Sequence, residues 1–228
     1  MHTILITGAN RGIGLAFTKQ YAEAGWKVLA CCREPQSASA LQACAKTHSN
    51  IQVFALDVAD FEQVAALAHK LNDVAIDVLI NNAGVYPDGS ANDADGAAWE
   101  KAFKINSIAP YMMADAFKSH IAKSQLKKLA TLSSKMGSID DNTSGGSYIY
   151  RSSKTAVNMV MKSLSIDLAP MGIAVVTLHP GWVQTDMGGS NALINTQTSV
   201  SGMRKVLDNL SLVNTGKFIA YDGKEIAW

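Results

Sequence analysis

The 228 residues carry a formal net charge of +1, with 48% hydrophobic and 17% charged side chains, which is enough apolar material for a sizeable core and no composition for disorder. No basic run exceeds Lys127-Lys128, so the chain has no nucleic-acid or anionic-membrane footprint and small molecules are the expected partners. Three cysteines, with Cys31 and Cys32 adjacent, offer neither a disulfide framework nor metal-ligand spacing, and no metal is expected. The opening residues lack the basic region of a secretory signal and no apolar stretch approaches ~18 residues, so a cytoplasmic location away from membranes is expected.

In chain order, Thr3 to Thr7 is a short apolar run ending at a glycine. Gly12 to Ala24 then carries Ile13, Ala16, Phe17, Tyr21 and Ala24 at helical spacing until Gly25 stops it. Trp26 to Cys32 predicts a second strand, Ser37 to Thr47 a helix and Ile51 to Leu56 a third strand. Asp60 with Gln63 three positions on is a capping signature for a helix to about Leu71, and Ile76 to Asn81 predicts the fourth strand. A polar stretch from Pro87 to Gly96 precedes one long helix, from about Ala98 to Ile121. Lys128 to Ser133 is a fifth strand and Gly137 to Ser147 a polar loop. The next helix places Val157, Val160, Met161, Leu164 and Leu168 on one stripe and ends at Pro170 and Gly172. Ile173 to Leu178 is a sixth strand, Met187 to Thr198 irregular, Ser199 to Asn209 helical and Lys217 to Tyr221 the last strand. The alternation predicts an α/β fold, a single doubly wound Rossmann-type domain over residues 1–228, with a seven-stranded parallel sheet and helices on both faces.

Thr7-Gly8-Ala9-Asn10-Arg11-Gly12-Ile13-Gly14 joins the first strand to the first helix. Its glycines allow a tight turn and close approach of a pyrophosphate, whose charge the amides at the helix N-terminus can meet. The second strand ends in Cys32-Arg33, where a carboxylate would favour an unmodified ribose. Arg33, with Arg11 in the glycine turn, instead suits a 2'-phosphate and favours NADP(H). Asp57, after the third strand, is placed either to accept a bond from an adenine amino group or to open a turn. Asn81-Asn82-Ala83-Gly84 ends the fourth strand, either against the adenosine side of a cofactor or as a turn closed by asparagine.

Tyr150 and Lys154 are four apart at the start of a helix and therefore share a face. An ammonium there can favour ionisation of a phenol whose ordinary pKa is about 10, making a proton donor or acceptor. Tyr148, six residues before Lys154, faces well away from it. Ser133 and Ser134 end a strand on opposite faces, so at most one reaches a substrate. His179, at a strand end, reads as structural.

Thr7 to Gly14, Asn81 to Gly84, Asn106, Ser134, Tyr150 with Lys154, and Pro180-Gly181 with Thr185 occur in the order in which the short-chain dehydrogenase/reductase family carries its motifs. The chain resembles that family from Thr3 to about Asp186. More narrowly, Met136 to Asn142, Gly145-Gly146 and the ending Tyr221 to Trp228 are similar to the C-factor and sniffer-type carbonyl reductases.

The resemblance implies reduction of an aldehyde, ketone or quinone by hydride from NADPH, with Tyr150 as general acid/base. Ser134 would hold the carbonyl oxygen, Lys154 would hold the nicotinamide ribose and lower the Tyr150 pKa, and Asn106 would anchor a water relaying protons from Lys154. It also implies cofactor contacts at Gly8, Asn10, Arg11, Gly12, Ile13, Gly14, Arg33, Asp57, Val58, Asn82, Ala83 and Gly84. After the sixth strand, Pro180 and Gly181 would shape the turn under the nicotinamide, with the Val183 backbone contacting its carboxamide and Thr185 bonding the carboxamide or the phosphate. Ser134 favours itself over Ser133 by family position, across a loop to Tyr150 longer than is common in the family. The alternative it leaves is an NADP(H)-binding sensor or signalling protein of C-factor type with little turnover. A homo-oligomer is possible, through the helices that begin near Ala98 and Tyr150.

Overall fold

Most strand positions on both faces are apolar and buried, so the sheet needs cover on both sides. In the computed structural model, which describes residues 1–87 and 95–228, seven strands form one sheet: β1 (Thr3–Thr7), β2 (Lys27–Cys32), β3 (Ile51–Ala55), β4 (Val78–Asn81), β5 (Lys128–Leu132), β6 (Ala174–His179) and β7 (Lys217–Ala220). Their order is β3-β2-β1-β4-β5-β6-β7, and every neighbouring pair is parallel. The α-helices among the described residues are α1 (Gly12–Glu23), α2 (Ser39–Thr47), α3 (Phe61–Lys70), α4 (Gly96–Phe103), α5 (Ala109–Ala122), α6 (Tyr148–Asp167) and α7 (Thr196–Asp208).

The alternation sorts the strand side chains into two cores. Ile4, Ile6, Val28, Ala30, Val78, Ile80, Val176 and Leu178 point to one face, where Phe17 and Tyr21 of α1, Leu41 of α2, and Val200, Met203 and Leu207 of α7 cover them. Leu5, Leu29, Leu79, Leu129 and Val175 point to the other, against Val64 and Leu67 of α3, Met113 and Phe117 of α5, and Val157 and Met161 of α6. Burying side chains of this size is worth ~1.5–3 kcal/mol each, which makes the two layers the main source of stability. Cys31 and Cys32 are adjacent strand residues on opposite faces, both buried as free thiols.

The predicted strands and helices are all present, several with shifted bounds, and three of the differences have a clear physical cause. The single long helix expected from Ala98 to Ile121 begins at Gly96 and is divided by a π-helical turn over Lys104–Ile108. Pro110 has no N–H to offer the Asn106 carbonyl four residues back, and its ring crowds that carbonyl, so the helix is wound wider there. The last helix starts at Thr196 rather than Ser199, because the Asn195 side chain accepts from the Thr198 N–H at 2.8 Å and caps it. The fourth strand is shorter than expected, since Ile76 bonds through its N–H to the His120 carbonyl before the ladder begins. The polar stretch expected from Pro87 to Gly96 lies largely outside the described residues. Asp60 caps α3 as predicted, accepting from the Glu62 and Gln63 N–H groups at 3.1 Å each. The sheet order reverses between β1 and β4, and a crevice opens there beyond the carboxyl ends of the strands.

Candidate active site

The crevice is a cleft of about 600 Å³, and the glycine turn forms its floor: Gly8, Asn10, Arg11, Gly12, Ile13 and Gly14 all line it. Gly8 and Gly12 have φ of +65° and +53°, a region costly for other residues. A Cβ on Gly14 would stand 2.1 Å from the Gly8 carbonyl oxygen, so the helix can press against its own turn only with glycine there. Asn82 braces the turn from β4, donating through Nδ2 to the carbonyls of Thr7 (2.8 Å) and Gly8 (3.1 Å), while Thr7 Oγ1 accepts from the N–H groups of Asn82 and Ala83 at 3.0 Å. The first turn of α1 has no side-chain cap and no acidic residue, which leaves its amides for an anion. These features fit a dinucleotide pyrophosphate.

Cys32, Arg33, Glu34, Asp57 and Val58 line the outer part of the same cleft, with Ala83 and Gly84 beside them. The Asp57 carboxylate accepts from the Ala59 N–H at 2.9 Å, so the turn-opening role is present in the structure and the residue still faces the cleft. Arg11 reaches across the cleft mouth, its Nη1 donating to Asp186 at 2.6 Å. Serving a phosphate requires Arg11 to exchange that carboxylate. Neither Asp186 nor Glu34 stands out in sequence, because each becomes part of the site only when separate strand ends converge.

Tyr150 and Lys154 lie at the inner end of the cleft, both buried, with the Lys154 Nζ 5.7 Å from the Tyr150 ring centre. Lys154 donates to the Leu132 carbonyl at 2.9 Å, and burial pulls its pKa down to about 8. Burial pushes Tyr150 up to about 12, the Ser134 hydroxyl partly offsets this by hydrogen bonding, and the nearby Tyr86 phenol pushes it further up. Burial is the largest influence on the Tyr150 pKa in this structure. Tyr148 is half-exposed while Tyr150 is buried, in accord with the helical geometry.

The two serines separate clearly. Ser133 Oγ donates to Asn158 at 2.6 Å and to the Lys154 carbonyl at 3.3 Å, so it is held inside the α6 contact, although the residue borders the cleft. Ser134 Oγ accepts from the Met136 N–H at 3.2 Å, and Ser134 is the serine close enough to Tyr150 to lower its pKa. Asn106 sits in the π-helical turn behind the cleft. Its amide oxygen accepts from the Val85 N–H at 2.9 Å, and its nitrogen donates to the Val85 carbonyl (2.9 Å) and to Ser153 Oγ (3.0 Å). A Cβ on Gly84 would meet Asn106 Oδ1 at 3.2 Å and Lys154 Nζ at 3.5 Å, so this glycine keeps the three groups close.

After β6, Pro180, Gln184, Thr185, Asp186 and Met187 line the cleft. Gly181 and Val183 stand behind that lining. Gly181, at φ +84°, has no room for a Cβ beside Ile194 and Tyr221, and Val183 is buried. Thr185 Oγ1 accepts from the Gly188 N–H at 3.1 Å. His179 is structural: its Nδ1 accepts from the Lys135 N–H at 3.2 Å, and burial holds its pKa down at about 4. Sequence reasoning missed Tyr86, whose ring lies 4.5 Å from that of Tyr150. Among the described residues no cluster of His, Cys, Asp or Glu could hold a metal ion, and no helix is long and apolar enough to cross a membrane.

Comparison with known proteins agrees with this geometry. Residues 2–196 match the family model described as short chain dehydrogenase. C-signal of Myxococcus xanthus is 45% identical over 154 residues, which cover 67% of this chain and 93% of that protein. The carbonyl reductase Sniffer of D. melanogaster matches over all of both chains at 36% identity and a TM-score of 0.93. An NADPH-bound carbonyl reductase from chicken fatty liver matches over 100% of this chain and 99% of its own at 34% identity and a TM-score of 0.94. With the motif series, the sheet order and these matches in agreement, the chain belongs to the short-chain dehydrogenase family.

Proposed function

We propose that the protein is an NADP(H)-dependent carbonyl reductase that converts an aldehyde, ketone or quinone to an alcohol, with Tyr150 as the proton donor. The observation that carries this reading is the buried Tyr150, beside Ser134 and one helical turn from Lys154, at the inner end of a cleft whose floor is a glycine turn with free helix amides. NADPH, when bound, supplies the hydride. The glycine turn, from Gly8 through Asn10 to Gly14, holds the pyrophosphate, and Arg33 with Arg11 holds the 2'-phosphate. Asp57 and Val58 border the adenine, and Asn82, Ala83 and Gly84 border the adenosine. Pro180, Gly181, Val183 and Thr185 hold the nicotinamide end.

Lys154 bonds the ribose hydroxyls, Ser134 orients the carbonyl oxygen, and Asn106 anchors the water through which Lys154 is re-protonated. A phenol with a pKa near 12 is protonated at neutral pH, so Tyr150 is charged with its proton and poised for the reductive direction. The chicken enzyme's bound NADPH and the Sniffer and chicken activities support the same reading. The substrate itself is a small molecule that the cleft admits beside Tyr150, and the chain acts as one cytoplasmic domain. Exposed Ile108 and Tyr111 near and on α5, with Met159 and Ile166 on α6, support a homo-oligomer.

The identity to C-signal supports a second reading, an NADP(H)-binding signalling protein with little turnover. A screen of NADPH oxidation over aldehydes, ketones and quinones separates the two. The reductase reading requires turnover of at least one class. Tight NADPH binding with no turnover of any carbonyl supports the signalling reading instead.

A further inference from the structure

Serine is a favoured N-cap residue because its hydroxyl accepts a bond from a first-turn amide. Ser147 occupies that position on α6 and makes no such bond. Its backbone is left-handed, with φ +46° and ψ +42°, a conformation strained for a non-glycine residue. The hydroxyl is turned to Tyr86 instead, 3.0 Å from the phenol oxygen. Tyr86 follows β4 and Val85, while Ser147 closes the loop before α6, so the bond joins two chain segments 61 residues apart. The Tyr86 ring meanwhile packs on Tyr150, centre to centre at 4.5 Å and tilted by 48°.

From this geometry we propose that Tyr86 is a positioning residue for the proton donor: its ring fixes the Tyr150 ring, and its hydroxyl, through Ser147, fixes the first turn of α6 from which Tyr150 projects. The inference rests on the proposed role of Tyr150 in carbonyl reduction. The groups facing Tyr150 are Ser134 from the end of β5, Tyr86 from the end of β4 and Lys154 from its own helix. Ser134 lies beside the phenol, and Lys154 lies beneath its ring with Nζ near Gly84 after β4. Tyr86, two residues beyond Gly84, is the one of the three that both packs on the Tyr150 ring and bonds the residue that opens α6. The left-handed serine hydroxyl serves Tyr86 and leaves α6 uncapped.

The test is a double-mutant cycle on Tyr86→Phe and Ser147→Ala, with Tyr86→Ala to remove the ring. Tyr86→Phe keeps the ring and loses only the hydroxyl. It is expected to lower kcat roughly tenfold, with KM for the carbonyl and NADPH affinity nearly unchanged. Ser147→Ala should match it, and the double variant should be no worse than either alone, since both remove one bond. Tyr86→Ala should lower kcat further. Equal kcat in all variants, or additive losses in the double variant, would overturn the proposal.

If the parent turns over no carbonyl, the reductase reading fails by itself, and the positioning role is read from amide hydrogen exchange over residues 147–154. Faster exchange there in both single variants, with the rest of the chain unchanged, supports the tie. Unchanged exchange sinks it.

Discussion

Lys154 shows how far the site departs from a side chain's ordinary comfort. Its pKa lies at about 8 in the fold against 10.5 in the open, so between those values the unfolded chain binds more protons than the folded one. Stability should therefore rise with pH across that window, and below about pH 8 the buried ammonium opposes folding. Lys154→Met is expected to stabilise the apo protein at pH 7 by on the order of 1–3 kcal/mol in urea unfolding, and the gain should shrink towards pH 10. A stable but inactive variant is the signature of a residue kept for function.

Arg33 offers a second test at this scale. Arg33→Asp should move the kcat/KM preference from NADPH towards NADH by roughly ten- to a hundredfold, because a carboxylate there repels the phosphate and suits a ribose hydroxyl. An unchanged preference would remove Arg33 from the phosphate site. The Tyr150-Lys154 pair was legible in sequence because helical spacing alone places it. Tyr86 was not, because its contact with Tyr150 exists only once the end of β4 meets the start of α6.

Among the elements, the loop from Gly137 to Ser147 depends on Arg151, the residue after Tyr150. Its guanidinium donates to the carbonyls of Gly145 (3.2 Å) and Met136 (3.3 Å) and to Ser144 Oγ (2.8 Å), clamping both ends of the loop to α6. Gly137 brings the near end in: a Cβ there would fall 2.7 Å from the Lys154 backbone. At the far side, the Asp140 N–H donates to the Trp228 carbonyl at 3.1 Å. Arg151→Ala should expose the loop to limited proteolysis and raise KM for the carbonyl several-fold, on the order of 3–10. Proteolysis no faster than in the parent would show that the other ties suffice.

The loop's existence could be read from its Asp, Asn, Ser and Gly content, but its anchoring could not, because the anchor lies in the following helix. The divided helix before β5 was legible in principle, since Pro110 marks the carbonyl that loses its partner. Apolar periodicity continued through the break and concealed it.

For the whole molecule, strand alternation disclosed most of the architecture. Ile4 and Ile6 against Leu5, or Val28 and Ala30 against Leu29, already require cover on two faces, and parallel strands with intervening helices supply it. The convergence of Arg11 on Asp186, 175 positions away, belongs to the folded crevice and not to any local pattern. Because NADPH binding is linked to folding, at about a hundred times its Kd it should add about 2.7 kcal/mol to stability, and a thermal scan should show a larger rise in Tm with NADPH than with NADH at equal concentration.

The most direct measurement is the rate of NADPH consumption by Tyr150→Phe with the carbonyl that the parent reduces fastest, made on protein shown to bind NADPH as the parent does. A loss of at least ~100-fold in kcat at unchanged NADPH affinity is the expected result, since the phenol oxygen is then the source of the proton. A variant that reduces the carbonyl as fast as the parent would show that Tyr150 is not the proton donor.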